Sequence, residues 1–137
     1  MAPVPERVKA PAAYKEEMAT RIGFAAALRY GDWVIVSGVT GRNPDGTVIQ
    51  DAEGQYRAAF EEIGQTLQAA GASWASVIDM STFHQGGTPE ERALFSQVRR
   101  DYVSEPYPAW TAVTVAALNS PDVLVEIKVI AIASESR

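Results

Sequence analysis

Val123-Leu124-Val125-Glu126-Ile127-Lys128-Val129-Ile130-Ala131-Ile132-Ala133 is the stretch whose reading decides the fold. Its alternation has a period of two, the signature of a β-strand. Val125, Ile127, Val129 and Ala131 share one face. Glu126, Lys128, Ile130 and Ile132 share the other, which turns apolar towards its end. A strand with apolar residues on both faces needs cover on both. The elements before it must therefore supply that cover, or a second copy of the chain must.

Working backwards, Asn119-Ser120-Pro121-Asp122 is a turn, and Trp110 to Leu118 a strand. Glu105-Pro106-Tyr107-Pro108 is an extended connector, because a residue before proline avoids the helical region. Thr88-Pro89-Glu90-Glu91 opens a helix. Thr88 caps it, Pro89 takes the first position and Glu91 closes a capping box. Leu94, Phe95, Val98 and Tyr102 form its apolar stripe. Val77 to Phe83 is a strand that leaves through His84-Gln85-Gly86-Gly87.

Asp51 to Ala70 is a longer helix, with Tyr56, Ala59, Phe60, Ile63 and Leu67 on one side. Asp51 caps its start and Gly71 ends it. Thr47-Val48-Ile49 reads as a short strand. Ile22 to Arg29 and Trp33 to Val36 read as a hairpin turning at Gly31-Asp32. The order is β-β-β-α-β-α-β-β. It predicts an α/β (α+β) domain: a mixed six-stranded sheet with two helices on one face. Apolar residues left on the other face, such as Val115, Ile130 and Ile132, point to an oligomer. Residues 1–20, with Pro3, Pro5 and Pro11, read as a loosely held arm. Residues 21–137 read as one domain.

The 137 residues include no Cys and a single His, with a net charge of -5. Disulfides and thiolate metal sites are excluded. The acidic balance argues against a nucleic-acid partner. No apolar run approaches the ~20 residues of a membrane span, and no signal peptide is visible. A cytoplasmic location is expected.

Several segments, in this order, resemble the Rid family (reactive-intermediate deaminases, YjgF-like). They are Gly31-Asp32-Trp33-Val34-Ile35-Val36-Ser37-Gly38, Gln55, Ala69-Ala70-Gly71-Ala72-Ser73, Tyr107-Pro108-Ala109-Trp110-Thr111-Ala112-Val113 and Val125 to Ala131. The resemblance spans roughly Gly23 to Ala133. It implies a chorismate-mutase-like fold, a homotrimer and clefts at the subunit interfaces. In the deaminase branch it also implies hydrolysis of an enamine or imine to a 2-ketoacid and ammonia, without metal or cofactor. The family glutamate, which positions the attacking water, falls on Glu126. The arginine that grips the substrate carboxylate falls on Trp110. A first-strand aromatic falls on Phe24, a small residue on Ala112 and a second-helix asparagine on Arg99. Arginine to tryptophan exchanges a bidentate charged fork for an indole with one donor.

Each candidate also has a plain structural reading. Glu126 is a base, or an outward-facing strand residue. Trp110 stacks on a planar ligand, or packs at an interface. His84 is an acid or base at a strand end, or a structural hydrogen-bonder. Arg99 restores a positive charge, or lies on a solvated helix face. Ser37 and Gly38 shape a pocket floor, or are turn geometry. The expected ligand is a small molecule. Three functions compete: deaminase-like hydrolysis or a lyase or tautomerase step, ligand binding without turnover, and ribonuclease activity. The charge weighs against the last.

Overall fold

A computed structural model of the chain describes residues 2–133. Its elements are β1 (Glu6–Val8), α1 (Ala13–Ile22), β2 (Ala27–Tyr30), β3 (Trp33–Val39), α2 (Ala52–Ala69), β4 (Val77–Gln85), α3 (Pro89–Tyr102), β5 (Ala109–Val115) and β6 (Val125–Ile132). The six strands form one sheet in the order β1-β2-β3-β6-β4-β5. β4 and β5 are parallel, joined by the α3 crossover, and the other neighbours are antiparallel.

β6 lies between β3 and β4, and its alternation is realised. Val125, Ile127, Val129 and Ala131 are buried, and Glu126, Lys128, Ile130 and Ile132 are half-buried. The buried set meets Val34 and Val36 of β3, Met80 of β4, Tyr56, Phe60, Ile63 and Leu67 of α2, and Phe95 and Val98 of α3. Phe60 stacks on Tyr102 with centroids 5.1 Å apart, and Tyr56 meets Phe95 edge-on at 5.2 Å.

Both main helices start as their sequences dictate. The Asp51 side chain accepts from the Gly54 N–H, and Thr88 and Glu91 form a reciprocal capping box. The β2–β3 hairpin turns at Gly31, whose φ of 61° is in the left-handed region.

Two expectations are corrected. The described part of the expected arm, residues 2–20, is not loose. Glu6–Val8 pair with β2, and Ala13–Ile22 are a third helix. Lys15 and Ala19 are its buried residues, and the Lys15 ammonium pairs with Glu62 of α2 at 2.7 Å. The partner lies far away in sequence, so no local pattern announced the helix. Thr47–Ile49 is not a sheet strand, because only one bridge, Arg42 to Val48, forms there. β1 takes the sixth place instead.

The face of the sheet away from α2 and α3 carries Leu28, Tyr30, Trp33, Ile35 and Val113, all exposed. β5 is an edge strand, exposed along six of its seven residues. Edge strands and apolar sheet faces are ordinarily covered.

Candidate functional site

Glu126 stands opposite Phe83 on the open face of the sheet. Next to it, β3 carries a bulge between Val36 and Val39, and Ser37 and Gly38 sit in it. The Glu126 carboxylate lies against Gly38, where a Cβ would come within 2.1 Å of Oε2. The glycine is there for space: only hydrogen fits between β3 and this side chain. The Ser37 hydroxyl donates to the Ala25 carbonyl at 2.7 Å, which fixes the bulge to the chain entering β2.

This floor belongs to a cleft of about 650 Å³. Phe24, Ser37, Gly38 and Glu126 all line it, so four expected site residues are brought together. α1 supplies a wall that sequence reasoning missed, with Lys15, Met18 and Ile22 beside Tyr14. Lys15 Nζ also reaches the Gly38 carbonyl at 3.5 Å, which ties α1 to the floor. Burial raises the Tyr14 phenol pKa, Glu62 adds to this and Arg42 opposes it, so the group stays a protonated donor. Arg42 lines the cleft too, held by Thr40 Oγ1 and the Gly46 carbonyl.

The last wall is the loop before β6, including Leu118, Asn119, Ser120 and Val123. Two buried or half-buried amides hold it. Gln55 Nε2 donates to the Ile49 and Asp122 carbonyls at 3.0 Å each, and its Oε1 accepts from the Leu124 N–H. Gln85 Nε2 lies within 3.2 Å of the Ser120, Pro121 and Val123 carbonyls, and its Oε1 accepts from the Leu118 N–H.

His84, Trp110, Ala112 and Arg99 are elsewhere. In the β4–β5 register Met80, Thr82 and His84 lie beside Trp110, Ala112 and Thr114. Residues on a strand alternate sides, so His84 points away from its neighbour Phe83 and hence away from Glu126. Within a single chain the sheet therefore separates His84 from Glu126, the two expected catalytic groups.

His84 is buried, with Nε2 2.8 Å from Thr82 Oγ1 and its ring edge-on to Phe95. Trp110 is part-exposed and donates from Nε1 to the same Thr82 oxygen at 3.0 Å. Arg99 is buried, not on a solvated helix face, and its guanidinium lies 4.1 Å from the Trp110 ring centroid.

Burial, with Arg92 adding to it, lowers the His84 pKa to about 4. His84 is neutral in the fold at neutral pH, while an unfolded histidine titrates near 6.5. The unfolded state therefore takes up a proton first as pH falls. Stability should drop between pH ~6.5 and ~4 by about 2–3 kcal/mol from this group alone. Urea midpoints at the two ends of that window measure it. His84→Leu should flatten the difference.

A six-stranded mixed sheet with helices packed on one face, and a glycine-floored cleft holding one strand glutamate, defines an α+β protein of the YjgF/Rid type. The family model described as "Endoribonuclease L-PSP" matches residues 14–133. The chain belongs to that family. It is 39% identical over 108 residues to the RutC family protein YjgH of Escherichia coli K12, covering 79% of this chain and 81% of the relative. A solved structure of protein YjgH superposes with a TM-score of 0.81 at 34% identity, covering 96% of this chain and 98% of the other. RidA from an Antarctic Psychrobacter gives 0.77 at 30% identity, covering 93% and 98%. No helix among the described residues is long and apolar enough to cross a membrane.

Proposed function

We propose that this protein hydrolyses a small imine, enamine or carbonyl metabolite without a cofactor, in a deaminase-like reaction with Glu126 as the base. Water adds to the carbon of a C=N bond while Glu126 takes its proton. The proton passes to nitrogen to give a carbinolamine, whose hydroxyl proton then moves to the amine as the C–N bond breaks, so that ammonia leaves and a carbonyl remains. The observation that carries this is the Glu126 carboxylate lying against Gly38 on the floor of the cleft. A carboxylate beside a ligand-sized space is what general-base catalysis needs.

The working form is a homotrimer. Glu126, Phe24 and Ser37 open on one side of the sheet, and Trp110 and Ala112 lie at its β5 edge on the other side. One chain cannot present both sets to one ligand, but neighbouring copies can. The exposed β5 edge and the apolar open face supply the contact surface. With Trp110 at the position of the family arginine, a planar or aromatic substrate is favoured over a small carboxylate-clamped one. The same parts serve a lyase or tautomerase step. The anchored, uncharged indole also fits a trimer that binds a metabolite without turning it over. The net charge of -5 weighs against a ribonuclease role, which needs a basic surface.

The test is ammonia release from freshly generated enamines, small and aromatic, by wild type and Glu126→Gln. Turnover of the aromatic substrates, reduced about a hundredfold or more in Glu126→Gln, is the expected result. Binding without ammonia release from any substrate would move the assignment to the metabolite-binding reading.

A further inference from the structure

The Glu126 cleft has a second polar end that the proposed reaction leaves unused. Its lining includes one acid, Glu126, and two cations, Lys15 and Arg42. Lys15 is neutralised by Glu62, with which it pairs at 2.7 Å. Arg42 pairs with no carboxylate among the described residues, Glu126 included. On a chain of net charge -5, it is the uncompensated charge of this cleft.

The guanidinium is held in place by neutral oxygens alone. Nε donates to Thr40 Oγ1 at 3.0 Å, and Nη1 donates to the Gly46 carbonyl at 3.1 Å. An arginine has five N–H donors in a planar fork, so most of this one is left for a ligand. The residue that receives Nη1 also seats a second donor. A Cβ on Gly46 would meet the Tyr14 ring at 3.0 Å, so the ring of Tyr14 packs directly on this glycine. Gly46 has a φ of 93°, in the left-handed region that favours glycine. Its N–H closes the turn onto the Asn43 carbonyl at 2.8 Å. One tight turn thereby brings the fork of Arg42 and the phenol of Tyr14 to the same wall of the cleft.

No hydrogen bond acts on the Tyr14 hydroxyl among the described residues. Burial raises its pKa, Glu62 adds to this and Arg42 opposes it, so the phenol keeps its proton at neutral pH. Both groups thus offer hydrogens, and what accepts from both is an oxyanion. A guanidinium takes two oxygens of a carboxylate or phosphate side by side, and the phenol supplies a further bond. Met18, Ile22, Phe24, Leu118 and Val123 give the cleft an apolar lining as well. The volume of about 650 Å³ is some twenty times the ~30 Å³ share of one water molecule, ample for a ligand with a body between two polar ends.

We propose that the molecule accepted by this cleft carries an anionic group, a carboxylate or a phosphate, at the end remote from Glu126, and that Arg42 and Tyr14 hold it. Arg42 and Tyr14 are then specificity residues, and the apolar lining takes the body of the ligand. What happens at the Glu126 end rests on the reaction proposed above, whereas the anion site does not.

Three probes with one phenyl body separate the possibilities: 3-phenylpropionate, its neutral isostere 3-phenylpropionamide, and 2-phenylethyl phosphate. Each is titrated calorimetrically into the intact protein. At least one of the two anions should bind about tenfold or more tighter than the amide, and the tighter of the two identifies the group. Arg42→Met should abolish the preference for the anion. Tyr14→Phe removes only a hydroxyl without a protein partner, so it should weaken the anion severalfold and the amide not at all, at an unchanged melting temperature. If Arg42→Met melts lower through loss of its two loop contacts, Tyr14→Phe decides alone. Equal affinity for anion and amide, a preference that survives in a normally melting Arg42→Met, an undiminished one in Tyr14→Phe, or no saturable binding would each overturn the assignment. Ammonia release by wild type and Glu126→Gln is read separately. Its absence, with the calorimetric preference intact, upholds the anion site and overturns only the reaction.

Discussion

Gly41→Ala should cost about 3 kcal/mol or more of stability and lower the thermal midpoint by about 10 °C or more. A Cβ at Gly41 would lie 1.9 Å from the Gln55 carbonyl oxygen, 2.6 Å from its carbon and 2.8 Å from its Cα. These are backbone atoms in the first turns of α2, and they cannot rotate aside. The loop must back away or the helix must shift. A shift would pull Gln55 off Asp122, Leu124 and Ile49. The constraint is room, not dihedral preference, because Gly41 is not among the positive-φ glycines. Calorimetric melting of wild type and variant decides it. A midpoint within about 3 °C would show that the α2 contact yields more easily than backbone should.

Gly38→Ala should behave in the opposite way, with stability nearly kept and turnover falling about a hundredfold. Its Cβ would meet Glu126 Oε2 at 2.1 Å, Cδ at 2.7 Å and Cγ at 2.9 Å. All three belong to a side chain that can swing to another rotamer at small cost. The fold survives and the carboxylate leaves its place. A displacement of about 1 Å in a reacting group is enough for about two orders of magnitude in rate. The melting curve and ammonia release, measured on one preparation, separate the two outcomes. Unchanged turnover would remove Glu126 from the chemistry as surely as its own substitution.

The parts of this molecule legible in its sequence are those governed by neighbours along the chain. The Thr88–Glu91 box, the Asp51 cap, the hairpin turn at Gly31 and the alternation of β6 each rest on residues a few positions apart. α1 was not legible, because its anchor is Lys15 to Glu62, a pair spanning 47 residues. A lysine in a charged stretch gives no hint that it will be buried. β1 escaped for a related reason: three residues between prolines carry too little pattern to outweigh a flexible reading.

The site divides the same way. Of the eight candidates, Phe24, Ser37, Gly38 and Glu126 come together in one cleft. His84 is a candidate as the single imidazole at a strand end, and strand parity puts it on the other side of the sheet from Glu126. Phe83 is the register partner of Glu126, and the next residue along must face the other way. Arg99 looked solvated beside Arg100 and Asp101, but the α3 face that buries Phe95 and Val98 buries it as well.

The loop from Leu118 to Val123 is gripped by Gln55 and Gln85 through main-chain atoms alone. Its length is thereby fixed by contacts that do not involve the side chains of Asn119 and Ser120. An inserted residue would break the amide contacts together, whereas exchanging Asn119 or Ser120 would break none of them. Such a wall can drift in sequence without taxing the fold, and the range of molecules admitted to the cleft can drift with it. Between relatives, innovation in what is accepted should gather on these few side chains, under the guard of two glutamines that never notice the change.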